Sequence, residues 1–284
     1  MIFKTEISPL DLTLTLDCGQ TFRWKELERG SWTGIVGKYQ LTLRQSARSV
    51  SINASTEDNS VVRLVREYLR ADDDVARIQR ALAKDEVLVR GMKEYRGLRI
   101  VKMDEWECLV SYTLATYANI PRIKKMIDTL CTKYGEPIPG GAHAFPTIKR
   151  LGEASEKELE RCGLGYRAKY VTGLCDSLTP NEMKSMTRLE YPDLKERLLE
   201  LDGVGEKVSD CVSLFGFGKL EAFPIDIWIE RALGRLYHVK GSYRRLSEFA
   251  SERFGEYSGY AQEYLYFNER SAAQEDACAF SEVR

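Results

Sequence analysis

Between residues 39 and 52, Tyr39, Leu41 and Leu43 alternate with Gln40, Thr42 and Arg44, and the habit returns at Val50 and Ile52. A period of two predicts antiparallel strands with one face buried, extending up to residue 55. From Val61, Val62, Val65 and Leu69 onward the spacing turns helical, with Asn59 and Ser60 as cap-type residues at its start. A further helical stretch is expected over 74–95. After "YRGLRIVKM", the run "DEWECLVSYTLATY" opens an almost wholly helical region, with Asp104 as N-cap and Gly/Pro punctuation such as "GEPIPGG". Strands first and helices afterwards predict an α+β fold. The expected division is an N-terminal antiparallel sheet domain with flanking helices over 1–100 and an all-helical domain over 101–284.

Composition narrows the chemistry. At 43% hydrophobic residues over 284 positions the chain can bury one large core or two modest ones. The longest apolar runs, such as "CVSLFGF", fall far short of the roughly 20 residues needed to cross a bilayer. With no basic, Leu-rich leader after Met1, a soluble, cytoplasmic, untargeted protein is expected, without membrane partners. Seven cysteines without a C-x-x-C pair give neither a disulfide framework nor a zinc ribbon. With only His143 and His238, a histidine triad or multi-histidine metal site is not expected. Net charge is −1, but it is unevenly spread. Residues 231–253 carry six cations against two acids, and "NIPRIKK" adds Arg122, Lys124 and Lys125. Each cluster fits a nucleic-acid face or an ordinary solvated helix face.

The segment "LDGVGEKVSDCV" carries the most information. Gly203 and Gly205 flank Val204 between two helical patterns, "YPDLKERLLEL" and "EKVSDCVSLF". So tight a turn leaves amide N–H groups of the second helix's first turn pointing outward, which attracts a phosphate. This is the helix-hairpin-helix pattern, a sequence-independent grip on a DNA backbone. Lys207 stands in that first turn, where the helix dipole and partial burial both disfavour an added charge, the condition that makes an amine nucleophilic. On this stretch alone a phosphate-contacting or solvent-facing lysine is the better reading. Cys211, four residues on, shares its face. Asp226, after Pro224 and before a helical run, reads as an N-cap. A Lys207 helix of ~12 residues extends ~18 Å, and ~8 nearly extended residues from Gly218 to Ile225 span that distance back. Asp226 therefore returns to the level of Lys207, where a carboxylate can stabilise a sugar cation.

Together with "FPIDIW", these residues resemble the helix-hairpin-helix Gly/Pro-Asp superfamily of DNA glycosylases. The ordered motifs "LDCGQTFRW", "WTGIVG", "ECLVSYTLATYANIPRI", "FPTIKRL", "GLGYRAKYV" and "GYAQEYLYF" resemble its eukaryotic-type 8-oxoguanine DNA glycosylases over nearly the whole chain. The resemblance implies a bifunctional glycosylase and abasic-site lyase acting as a monomer on double-stranded DNA that contains 8-oxoguanine. It implies Lys207 as nucleophile at C1′ and Asp226 as catalytic carboxylate. Gly19, which alone would read as a turn glycine, supplies the carbonyl that accepts the N7 hydrogen of 8-oxoguanine. Cys211 and Tyr266 stack on the flipped base, and Gln262 reads its Watson–Crick edge; without the resemblance "AQEYLYF" fits a core stripe. Gly203, Val204, Gly205 and Trp228 fall at the DNA backbone, Tyr166 at the wedge, and Arg167 and Arg122 at the orphaned cytosine.

Three positions depart from the family. Tyr117 replaces an asparagine that helps read the cytosine, Trp228 replaces a histidine at the 5′-phosphate, and Tyr266 replaces a phenylalanine. No cofactor is expected. Only Cys278 lies beyond Cys211, so no iron–sulfur cluster is expected, and a monovalent cation could sit on the hairpin carbonyls. Lacking a long basic extension, the chain looks like a compact prokaryotic or archaeal version. A different oxidised or alkylated purine, or a non-catalytic DNA-binding module, are the alternatives.

Overall fold

The computed structural model describes residues 1–281, with side chains described through Ser271. Five strands form one antiparallel sheet: β1 (Ile2–Glu6), β2 (Trp24–Glu28), β3 (Ser31–Val36), β4 (Tyr39–Ser46) and β5 (Ser49–Ala54), in the order β1-β5-β4-β3-β2. The alternation read along 39–52 sets the register, with Trp32 opposite Leu43, Leu43 opposite Ile52, and Ile52 opposite Phe3. Trp32, Leu43 and Ile52 thus share the buried face. A short helix inside the sheet region, α1 (Leu12–Leu16), was not legible in the pattern; Asp11 caps it by accepting from Leu14 N.

Helices then follow: α2 (Ser60–Tyr68), α3 (Val75–Leu82), α4 (Glu86–Glu94), α5 (Glu105–Leu114), α6 (Ile120–Tyr134), α7 (Ile148–Gly152), α8 (Glu156–Leu159) and α9 (Ala168–Ser177). The set closes with α10 (Pro180–Met186), α11 (Tyr191–Leu199), α12 (Glu206–Phe215), α13 (Ile227–Leu236), α14 (Tyr243–Phe254) and α15 (Ser258–Ser281). Two expectations need correction. The stretch 74–95 is two helices, because Asp85 caps a second one by accepting from Val87 and Leu88 N. The start of α2 is capped by Asp58, whose carboxylate takes the Ser60 N–H; Asn59 makes no side-chain cap. Asp104 caps α5 as expected, accepting from Glu107 N.

From Trp106 to Leu114 every residue of α5 is buried, so its sides are covered by neighbours all round. One apolar cluster runs from Ile7 through α5 to Leu265, joining sheet and helices. The sheet is tied to the helices by polar links as well: Trp24 Nε1 donates to Tyr68 Oη, which donates to Thr21 Oγ1. Among the described residues no helix is long and apolar enough to cross a membrane.

Candidate active site behind a helical hairpin

The hairpin joins α11 to α12. Gly203 has φ +81°, the region glycine tolerates, and a Cβ there would lie 2.5 Å from Tyr170 Cγ. Gly205 differs: its φ is −94°, and a Cβ would meet nothing within 4 Å. Gly205 is the N-cap of α12 and no side chain caps that helix, so its first-turn amides face the open side. Between the glycines Val204 is buried and pins the turn to the core. Gly203→Ala should therefore lower stability by about 1–3 kcal/mol. Gly205→Ala meets no clash and should cost less, under about 1 kcal/mol for the poorer cap, yet weaken duplex binding about tenfold. Thermal unfolding and a binding titration on both variants check the contrast, and equal behaviour would contradict it.

Behind the hairpin lies a cavity of about 450 Å³. Its wall includes Gly19, Lys207, Cys211, Asp226, Gln262 and Tyr266, brought together from four separate segments. Trp228 also borders it. Lys207 Nζ sits 5.3 Å above the ring of Tyr112. Asp226 accepts from Trp228 and Ile229 N at 2.9 Å each, so its N-cap role and its place on the cavity wall coexist. The return path is not the extended run inferred from length: it contains a turn in which Ala222 N bonds Lys219 O. Tyr243 holds its end, accepting from Ile225 N at 3.2 Å while donating to buried Asp210 at 2.6 Å. Tyr191 and Lys195 also bond Asp210, which locks α11, α12 and α14 around the site.

Gly19 has φ +93°, and its neighbours are clamped. Gln20, buried, donates to Arg99 O at 3.0 Å and accepts from Val101 N at 2.8 Å, while its carbonyl receives Tyr112 Oη at 3.1 Å. Tyr112 stacks on Phe215 with centroids 5.6 Å apart, so one ring supports the Gly19 segment and the lysine together. Burial pushes the Cys211 thiol up to about 12, an effect Lys207 opposes. Burial likewise pushes Tyr266 up to about 12. Both side chains present neutral, polarisable walls at neutral pH.

The DNA-side residues are less uniformly placed. Arg122 is exposed in the first turn of α6, which Asn119 caps. Tyr166 is 49% exposed on a tight turn between Gly165 and Arg167. Arg167, expected at the orphaned base, is instead buried: its guanidinium donates to Thr116 O and Leu164 O and lies 4.5 Å from the Tyr166 ring centroid. It braces the wedge in this conformation. Tyr117 is 94% exposed with φ +51°, a backbone conformation tyrosine rarely adopts and asparagine adopts more readily. Of the basic 231–253 cluster, Arg235, Arg244 and Arg253 are spent on Glu269, Glu248 and Asp85. Arg231 lies over Trp228 at 5.3 Å. Tyr112, Phe22, Phe215 and Glu263 also line or back the cavity. Nothing in their sequence context set them apart from core residues. Among the described residues no three His, Cys, Asp or Glu side chains gather as a metal-ligand set. Cys278 lies outside the described side chains.

An uncapped helix start beside a two-glycine turn, with a half-open cavity behind it lined by an amine and a carboxylate, defines a helix-hairpin-helix protein with a polar pocket. A profile described as HhH-GPD superfamily base excision DNA repair protein matches residues 111–256, and one for the 8-oxoguanine DNA glycosylase N-terminal domain matches residues 2–109. The chain belongs to the HhH-GPD superfamily of base excision DNA repair proteins. Among its relatives is the N-glycosylase/DNA lyase OGG1 of Arabidopsis thaliana, 31% identical over 98% of this chain and 82% of that protein. Another is the N-glycosylase/DNA lyase of Saccharomyces cerevisiae, 28% identical over 92% and 84%. The Clostridium acetobutylicum 8-oxoguanine glycosylase/lyase, solved with double-stranded DNA containing cytosine opposite 8-oxoG, superposes with a TM-score of 0.88. It is 31% identical, and the match covers 96% of this chain and 98% of that one.

Proposed function

We propose that the protein is a bifunctional DNA glycosylase and abasic-site lyase that removes 8-oxoguanine from double-stranded DNA, acting as a monomer in the cytoplasm. The observation that carries this reading is the convergence of Lys207 and Asp226 on one cavity with Gly19, Cys211, Gln262 and Tyr266. The hairpin amides hold the backbone, exposed Arg122 faces the orphaned cytosine, Tyr166 fills the gap, and the damaged nucleotide rotates into the cavity. The Lys207 amine attacks C1′, the C1′–N9 bond electrons leave with the base, and the base takes up a proton. Asp226 stabilises the positive charge that develops on the sugar. The amine adduct opens the sugar to a Schiff base, and loss of a C2′ proton expels the 3′-phosphate. Gly19 O accepts the N7 hydrogen that guanine lacks, a distinction worth roughly 1–3 kcal/mol. Amine and carboxylate supply this chemistry, and with only Cys278 beyond Cys211 no iron–sulfur cluster is proposed.

Single-turnover cleavage of a duplex bearing one 8-oxoguanine opposite each of the four bases, with borohydride present, tests the reading. Strand cleavage with a trapped covalent complex is expected, with little spread among partner bases because Tyr117 offers no amide to the orphan base. Base release without trapping would mean attack by water and would remove the nucleophilic role from Lys207.

A further inference from the structure

Glu263 lines the same cavity as Gly19, Lys207 and Asp226, yet the chemistry above makes no use of it. It is 4% exposed, and its Oε2 is buried without a hydrogen-bond partner among the described residues. Its neighbour Gln262 is in the same state at Oε1. Two adjacent residues of α15 thus bring unsatisfied oxygens to the wall of one pocket. Such atoms destabilise a fold unless a partner arrives. Gln20 Nε2 gives one hydrogen to Arg99 O at 3.0 Å and Cys18 Sγ donates to Thr15 O at 3.4 Å, and both side chains also lie against the Glu263 carboxyl, whose Oε2 is left over.

We infer that Glu263 is a specificity-determining residue of the base pocket, the side chain that hydrogen-bonds the carbonyl oxygen an oxidised purine carries next to its new N–H. This rests on the proposed reading of the cavity as a base pocket. Oxidation at C8 gives the purine an adjacent N–H and C=O. An acceptor beside a donor reads that edge at two points. Gly19 O supplies the acceptor, and a neutral Glu263 carboxyl, on the wall that also carries Cys18, Gly19 and Gln20, supplies the donor. Unmodified guanine satisfies neither, since it offers an acceptor at N7 and a C–H at C8.

Burial favours the protonated carboxyl. Burial, with Asp226 adding to it, pushes Glu263 up to about 8. The titratable or charged groups sharing the cavity wall are Cys18 from the segment before β2, Tyr112 from α5, Lys207 and Cys211 from α12, Asp226 at the start of α13, and Tyr266 and Arg270 from α15 itself. Helices α4 and α14, which also pack on α15, contribute none of the wall. Burial raises Cys18, Tyr112, Cys211 and Tyr266, so all four are neutral alongside Glu263. The other titratable side chains on the wall are Lys207, Asp226 and Arg270.

The donor is present below about 8 and lost as pH rises through that value. Single-turnover excision of 8-oxoguanine should be compared for wild type, Glu263→Gln and Glu263→Met between about pH 6 and about pH 9.5. Glutamine donates at every pH and methionine at none. Wild type should lose rate relative to Glu263→Gln by roughly tenfold per pH unit above about 8. Contributions from Lys207 cancel in that ratio. Glu263→Met should excise about 10- to 100-fold more slowly than Glu263→Gln at neutral pH. The melting temperature of Glu263→Gln should also gain on wild type as pH rises. The folded state keeps a proton the unfolded chain has already released, so the wild-type side chain stabilises at low pH and loses that contribution through about 8. Parallel pH profiles for wild type and Glu263→Gln, or full activity in Glu263→Met, would overturn the role of Glu263 alone. A wild type that excises 8-oxoguanine at no pH would overturn the substrate reading and this inference with it.

Discussion

Lys207→Gln abolishes the borohydride-trapped complex and slows base excision by at least about 1,000-fold, while affinity for damaged duplex stays within a few-fold of wild type. The separation follows from where the side chain stands. Lys207 is half-buried and reaches over the Tyr112 ring at 5.3 Å, whereas the hairpin amides that grip the backbone belong to the main chain of the same turn. Glutamine keeps nearly the length and still packs on the ring, but its amide nitrogen has no lone pair free for attack at C1′. Stability should hardly change, because Lys207 makes no ion pair among the described residues. Gel analysis of trapped product and fluorescence anisotropy on uncut duplex measure the two halves. Loss of binding in parallel with loss of trapping would return Lys207 to the role of a phosphate contact.

For Asp226 the structural and chemical roles overlap, and the variant must separate them. The carboxylate caps α13 through Trp228 and Ile229 N. An asparagine oxygen caps a helix about as well as a carboxylate. Asp226→Asn should therefore melt close to wild type but excise about 10²- to 10³-fold more slowly, because the charge opposing the sugar cation is gone. Asp226→Ala loses both functions and should in addition lose about 1 kcal/mol of stability. An asparagine variant with full activity would leave Asp226 as a cap and nothing more.

The alternation of Tyr39, Leu41, Leu43, Val50 and Ile52 and the helical spacing after Val61 determine the order of strands and helices by themselves, since each depends only on which face of a local element meets the core. The glycine hairpin and its lysine are legible for the same reason: a tight turn and an uncapped helix start are local facts. Caps are less legible. Asp58 rather than Asn59 serves α2, and Asp85 splits what reads as one helix, because a carboxylate two or three residues away competes on equal terms. Gly19 could not be told from a turn glycine; its neighbour Gln20 is fixed by Arg99 and Tyr112, which are 79 and 92 residues away in the chain.

Arg167 is a residue whose type suits a DNA contact and whose guanidinium bonds Thr116 O, 51 residues away in the chain, in this conformation. Glu263 is the clearest case. In "AQEYLYF" it looks like a polar residue on a helix, and only the packing of α15 against the segment carrying Cys18, Gly19 and Gln20 buries it. The sequence by itself determined the elements and the hairpin with its lysine, because these follow from neighbours within a few residues. Tertiary structure alone decided which distant side chains share one desolvated cavity, because desolvation and pairing depend on what approaches from elsewhere in the chain.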